Sequence, residues 1–223
     1  LLGFFNRVYL ANLISNAELG RYQLIFPIFM FCMAVSCAGI QVAVSKMVAA
    51  YHGAGKKKAI RQTIKSAGIT SLIVALLSSG CIIAFSEPIS RWILKDISCR
   101  GYLVIMAIAV PFAAVHTCVG GYFYGIRHTA VPAVTQLLEQ VVRVVTIYLL
   151  GAMMYQKGKI DASVAVWGLA AGEIFSCFLT WICYRFSIRS QNGGSGSGEP
   201  IRKILRQLWQ YGGLLTANRV SVT

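Results

Sequence analysis

The chain has 223 residues, of which 57% are hydrophobic and 13% charged, with 21 Lys and Arg against 7 Asp and Glu and a formal charge of +14. An ordinary soluble domain carries roughly a quarter charged residues, so a water-soluble fold is excluded: a chain of this size could not bury so much apolar surface. No soluble basic domain or base-stacking platform accompanies the positive charge, which excludes a nucleic-acid binder and reads as membrane-surface charge beside anionic headgroups.

Low-charge stretches recur at residues 22–48, 67–85, 102–124, 131–154 and 162–184, each near the ~20 residues that cross a bilayer. A shorter one covers residues 1–14 with Arg7 as its only charge, and another starts at Leu208 and is still running at Thr223. The expected fold is all-α, a polytopic transmembrane helical bundle in a cytoplasmic membrane. Residues 1–186 form a lobe of six spans, the first truncated. Residues 187–200 form a flexible connector, and 201–223 an amphipathic helix and the start of a second lobe. The two raw ends suggest part of a longer, transporter-sized protein. Residues 1–14 have no basic lead and no small-residue cleavage site, a poor match to a signal peptide.

Glu18 and Arg21 follow the first span at a spacing that lets them pair at the outer mouth. The second span holds Pro27 and Gly39, which predicts a long helix that bends; Gly39 serves either as a close-packing contact or as a hinge. Lys46, near the end of that run, either snorkels to the interface or faces a cavity. His116 lies near the centre of the fourth span with Gly120 and Gly121 just beyond it. Those glycines admit a neighbouring helix. His116 then either bonds across helices or lines a polar route and titrates.

The fifth span carries the densest polarity. Gln136, Glu139, Gln140 and Arg143 are spaced i, i+3, i+4, i+7, one stripe of a helix. At membrane depth each charge costs at least a few kcal/mol unless it faces protein or water. Glu173 stands alone in the middle of the sixth span, beside Gly172. It either handles a ligand or proton, or pairs with Arg143 or Arg7.

Charge sets the orientation. The linkers after spans two, four and six hold Lys56, Lys57, Lys58, Arg61, Lys65, Arg127, Arg185, Arg189, Arg202, Lys203 and Arg206, while the opposite linkers mix fewer cations with Glu87, Asp96 and Asp161. The richer set marks the cytoplasm, which also places the start of the chain there. The run RSQNGGSGSGEP is a flexible connector by composition, natural or artificial. Beyond it Ile201, Ile204, Leu205 and Leu208 share a stripe with Arg202, Lys203 and Arg206 largely away from it, the pattern of an interfacial amphipathic helix.

Seven cysteines show no CxxC spacing, and His52, His116 and His128 fall in separate regions without a Cys or carboxylate at ligand spacing. No metal, cofactor or catalytic group is expected, and the chain does not read as an enzyme. Arg7 and Arg143 with Glu139 and Glu173 offer both signs of charge to a common interior. Arginine's planar fork suits an anionic, phosphate-bearing lipid; the carboxylates suit a cationic drug or a driving ion or proton.

The opening LLGFFNRVYLANLISNAELGRYQLIFPIFMFCMAVSCAGIQVAVSKMVAAY, the segment YGIRHTAVPAVTQLLEQVVRVV and the final LLTANRV resemble the stage V sporulation protein B branch of the MOP (MATE-like) exporter superfamily. The likeness covers nearly the whole chain apart from the glycine-serine run and corresponds to the first half of a member. It implies a two-lobed transporter with alternating access to a central cavity, moving polysaccharide or a lipid-linked oligosaccharide or cell-wall precursor, with roles in spore cortex formation. It also implies that Arg7, Glu18, Arg21, Lys46, Gln136, Glu139 and Arg143 are cavity or gate positions. A cation-coupled drug exporter of the same superfamily and a non-transporting membrane scaffold are the alternatives, and the oligomeric state is open.

Overall fold

The computed structural model describes the backbone of residues 2–155, 160–190 and 200–220, and their side chains apart from those of residues 2–5, 7, 38, 155, 190 and 212–220. These residues form α1 (Leu2–Leu13), α2 (Asn16–Met33), α3 (Gly39–Gly53), α4 (Lys57–Ala84), α5 (Ser86–Pro88), α6 (Cys99–Gly125), α7 (Ala130–Tyr155), α8 (Ser163–Ser190) and α9 (Ile201–Val220). Five continuous helices are long and apolar enough to cross a membrane: Asn16–Gly53, Lys57–Ala84, Cys99–Gly125, Ala130–Met154 and Ser163–Arg189. Each overlaps one of the full spans read from sequence. Large apolar side chains point outward along them, Leu77 at 66% and Phe186 at 67% exposure among them, a surface that only lipid accommodates at this density. The chain is a multi-pass membrane protein.

Local chemistry sets the helix boundaries. Ser15 Oγ accepts the Glu18 backbone N–H at 3.3 Å, capping the start of α2 with an acidic residue in its first turn, which satisfies an otherwise orphaned donor and complements the helix dipole. Gly55 after α3 and Arg127 after α6 both take positive φ, at 68° and 62°, reversing the chain in tight turns.

Between α2 and α3 the helix does not break. The turn Ala34–Ala38 widens to π geometry, and Gly39 follows it, buried. Pro27, by contrast, sits inside regular α2. The irregularity expected of this long helix therefore falls at mid-span rather than at the proline. Widened turns of this kind gather at functional and bending positions of long helices.

α6 is the core of the lobe: 56% of an apolar 18-residue stretch of it is buried, against 17% of the corresponding stretch of α7. Its first half packs with α2 and the ends of α4 and α8, around Leu103, Met106 and Val110. Its second half packs with α3, α4, α8 and α9, around Cys118, Tyr122 and Phe123. His116 lies between these two clusters. A third cluster joins α1, α7 and α8 through Leu10, Ile147 and Val164.

Glycine lets these helices approach. A Cβ built on Gly121 would lie 2.7 Å from the Gln41 carbonyl oxygen, and one on Gly125 2.7 Å from Val48, so α6 meets α3 along a small-xxx-small face. Of the two glycines expected to admit a neighbouring helix, Gly121 makes the contact and Gly120 would clear everything but the Gln41 side chain at 3.9 Å. The one-residue offset follows from helix geometry, which turns adjacent residues about 100° apart.

One boundary and one buried face differ from the sequence reading. α8 continues through Ser190, into the stretch expected as connector from residue 187; residues 191–199 lie outside the described residues. The stripe of α9 expected to lie on the membrane interface is covered by the lobe itself: Ile204 and Leu208 are buried among Val48, Ile60 and Ile64, while Ile201 stays exposed. Packing on protein removes the same apolar area from water that a lipid interface would.

Candidate functional site

The site begins with the polar stripe of α7. Glu139 lies nine residues from the Ala130 end of α7, and His116 nine residues from the Gly125 end of α6, which places both at about 13 Å from the same end of the bundle. α8 brings Glu173 to the same level because its glycines strip it bare on that side. A Cβ on Gly168 would lie 3.2 Å from the Arg143 carbonyl oxygen, and one on Gly172 3.3 Å from Glu139.

Four ionisable side chains meet there. Arg143 Nη2 donates to Glu139 Oε1 at 2.9 Å, one turn back on its own helix. The same nitrogen lies 3.6 Å from Glu173 Oε1, and Glu173 Oε2 lies 3.3 Å from His116 Nε2. His116 Nδ1 shares a 3.1 Å hydrogen bond with Ser176 Oγ. Both carboxylates are 6% exposed. One guanidinium thus faces two carboxylates, an uneven balance of fixed charge at membrane depth.

The network is incompletely satisfied. Glu173 Oε2 approaches His116 closely but lacks hydrogen-bond geometry, and it shares the state of Arg143 Nε, Asn6 Oδ1 and Thr180 Oγ1: buried with no hydrogen-bond partner among the described residues. Such atoms are costly unless something polar visits them.

Two cavities flank the network. One, of about 490 Å³, is lined by Asn6, Tyr22, Gln23, Pro27, Gln140 and Arg143. The other, of about 220 Å³, is lined by Gln41, His116, Gly120, Gln136, Glu139 and Glu173 among others. Arg143 thus faces the larger cavity and the carboxylates the smaller one, with the ion network as the wall between.

Gln136, Glu139, Gln140, Arg143, Glu173, His116 and Gly120 therefore converge. Lys46 does not: it is exposed on α3, its Nζ 5.8 Å over the Tyr211 ring of α9. Gly39 adjoins the π-turn, and the Arg7 side chain lies outside the described residues. The expectation that no histidine has a carboxylate at ligand spacing is corrected by the fold. Donor atoms of His116, Glu139 and Glu173 all lie within 4.8 Å of one another. They come from three helices, so linear spacing could not reveal them. Asn6, Gln23, Gln41 and Ser176 were missed because single amides and hydroxyls are common in membrane helices.

Glu18 and Arg21 form a separate structure at the far end. They pair with each other as expected, but the cluster reaches further. Arg21 Nε donates to Asp96 Oδ2 at 2.6 Å, while Glu18 Oε2 accepts from the Tyr102 hydroxyl and the Ala162 N–H, both at 3.0 Å. This ties α2 to the starts of α6 and α8 and to the loop before α6. The hydrogen bond from Arg21 holds the Asp96 carboxyl below the usual carboxylate range.

A lobe of crossing helices packed around one central span, with a buried ion network between polar cavities, has the fold of MATE-like exporters of the MOP superfamily. The chain superposes on a crystal structure of MATE in the straight conformation with a TM-score of 0.76 at 18% identity, covering 99% of this chain and 49% of that one. A MOP superfamily transporter from Pyrococcus furiosus, in which reverse polarity of the binding pocket suggests a different function, matches at 0.72 and 18% identity, covering 99% and 48%. The chain belongs to the polysaccharide biosynthesis protein family, whose model matches residues 1–223. It is 26% identical over 187 residues to stage V sporulation protein B of Bacillus subtilis (strain 168), covering 83% of this chain and 36% of that protein. The chain thus spans about half the length of the solved structures it matches and about a third of this relative.

Proposed function

We propose that this chain is one lobe of a membrane transporter that flips a lipid-linked oligosaccharide or cell-wall precursor across the cytoplasmic membrane by alternating access. The observation that carries this reading is Arg143: a guanidinium at membrane depth, lining a cavity of about 490 Å³ with Asn6, Gln23 and Gln140. A phosphate-linked headgroup needs such a donor fork. The lipid tail stays in hydrocarbon, so only the headgroup requires a polar path.

The steps follow from the charges. An anionic headgroup at Arg143 competes with Glu139 and Glu173 for the guanidinium, and a carboxylate that loses its partner takes up a proton or coupling cation. Release of the headgroup on the other face restores the ion pairs and expels that charge. Arg7 and Lys46 are further headgroup candidates. Gly39 and the π-turn before it supply a bending point as the lobe rocks, and Glu18 with Arg21 closes the opposite end. The basic start of α4, Lys56–Lys58, faces the cytoplasm, as does the start of the chain.

A cation-coupled drug exporter is the second reading, supported by the two carboxylates on the smaller cavity. The readings separate in the full-length protein, assayed by complementation of a strain lacking its own flippase and by headgroup translocation in proteoliposomes. Arg143→Gln at normal membrane level is expected to abolish flipping and Arg143→Lys to retain part of it. Full activity of Arg143→Gln, with loss in Glu139→Gln and Glu173→Gln, would transfer the assignment to cation-coupled export.

A further inference from the structure

Away from the ion network, the lipid-facing side of the lobe carries a third cavity of different character. It is a groove of about 650 Å³ between α4 and α8, floored by Val115 and Val119 of α6. Arg61 and Lys65 line it from α4, and Arg185 and Arg189 from α8, so an i, i+4 pair of cations on one helix faces another such pair. Like charges at that spacing repel. No acidic residue lines the groove among the described residues; the described carboxylates lie either in the central network or toward the opposite end, near Glu18, Glu87, Asp96 and Asp161.

Past the cations the groove turns apolar. Ile69 and Leu72 form one wall and Trp181 the other, all exposed. Gly68 leaves the wall open at the transition, since a Cβ there would meet nothing within 4 Å. Arg61 Nη2 donates to the Ile188 carbonyl oxygen across the groove at 3.4 Å, which holds the two basic walls at a fixed separation. Charge at one end and hydrocarbon along the rest is the polarity of a phospholipid.

We propose that this groove is a binding site for an anionic phospholipid, its phosphate headgroup seated among Lys65, Arg185 and Arg189 and its acyl chains along Ile69, Leu72 and Trp181. The occupant is a bilayer lipid rather than cargo, because the groove opens on a different face of α6 from the network, Val115 and Val119 lying about 100° round the helix from His116 and Gly120, and its apolar walls are exposed where the bilayer reaches them. Charge complementarity selects the headgroup: a phosphate with net negative charge accepts charge-assisted bonds from arginine forks, whereas a zwitterionic headgroup brings its own cation into a nest of cations. The lipid would brace α4 against α8 where their charges push them apart, independently of what the transporter carries.

The test uses full-length protein in bilayers of phosphatidylcholine with a minor fraction of phosphatidylglycerol, one or the other brominated on its acyl chains. Trp181 fluorescence is isolated as the difference between wild type and Trp181→Phe. Brominated phosphatidylglycerol is expected to quench Trp181 well beyond its mole fraction, with an apparent preference of about tenfold over phosphatidylcholine. Lys65→Gln/Arg185→Gln/Arg189→Gln should abolish that preference and Lys65→Arg/Arg185→Lys/Arg189→Lys should keep it. Lys56→Gln/Lys57→Gln/Lys58→Gln, which removes the same charge from the start of α4 outside the groove, should also keep it. Equal quenching by the two lipids in wild type overturns the proposal. So does loss of preference in the Lys56–Lys58 variant, which would mean general surface attraction. If the groove variant does not purify as a single species, wild type decides alone: unlabelled phosphatidylglycerol must relieve the quenching and unlabelled phosphatidylcholine must not.

Discussion

Glu173 on α8 lies 3.6 Å from Arg143 on α7, close enough to share its charge but outside hydrogen-bond reach, because Glu139 already holds that nitrogen at 2.9 Å. The two carboxylates therefore differ in what they hold together. Glu139→Gln weakens the direct partner of a buried cation and should destabilise the full protein by about 3 kcal/mol. Glu173→Gln leaves the Arg143–Glu139 pair intact and should cost less than about 1 kcal/mol while removing ion-coupled transport. Thermal unfolding in detergent beside transport in proteoliposomes checks both. Equal destabilisation would mean that the pairing is shared evenly.

The glycine faces predict a steep contrast. Gly125→Ala and Gly168→Ala push a methyl into Val48 and Ile147 respectively, and should each cost about 1–3 kcal/mol as α6 separates from α3 or α8 from α7. Gly80→Ala meets nothing within 4 Å in α4 and should be neutral or stabilising by up to about 1 kcal/mol from helix propensity. Melting of tagged protein ranks the three.

Asp96 makes the far end sensitive to acid. Its carboxyl is held below the ordinary value by the Arg21 hydrogen bond first, and by the Ser98 N–H next. A depressed folded pKa contributes stability that is fully present above the unfolded value of about 3.9 and is lost as pH falls through the folded one. Wild type should therefore lose stability relative to Asp96→Asn as pH drops below about 4, with no such convergence between pH 6 and 8. Unfolding midpoints of the two proteins across that range are the measurement.

Docking of α9 onto the lobe rests on Ile204 and Leu208, 0% and 3% exposed. Ile204→Ala should destabilise by about 2–4 kcal/mol, whereas Ile201→Ala, at an exposed position, should stay within about 0.5 kcal/mol. A neutral Ile204→Ala would mean that α9 leaves the lobe in the bilayer.

The spans were legible because hydrocarbon thickness imposes a length and a composition on every crossing helix. The cap at Ser15 was legible too, in the Ser-x-x-Glu spacing of Ser15 and Glu18, although it passed unread beside the more conspicuous Glu18 and Arg21 pair. The α7 stripe could be read since its four members share one helix. Asp96 could not be read as the partner of Arg21, since 75 residues separate them and nothing in either neighbourhood encodes the other.

What the sequence by itself determined is what a single helix can carry: membrane spans, the side of α7 that turns from lipid, and an excess of cations at one end. Only the tertiary structure decided the partners. Whether Glu173 would meet Arg143, whether His116 would face carboxylates, and whether the stripe of α9 would meet lipid or protein all depend on how helices are rotated and offset against one another. Those rotations are set by where glycine lets backbones touch, at Gly121, Gly125, Gly168 and Gly172. Close contact there is a property of two surfaces at once, which no one-dimensional pattern contains.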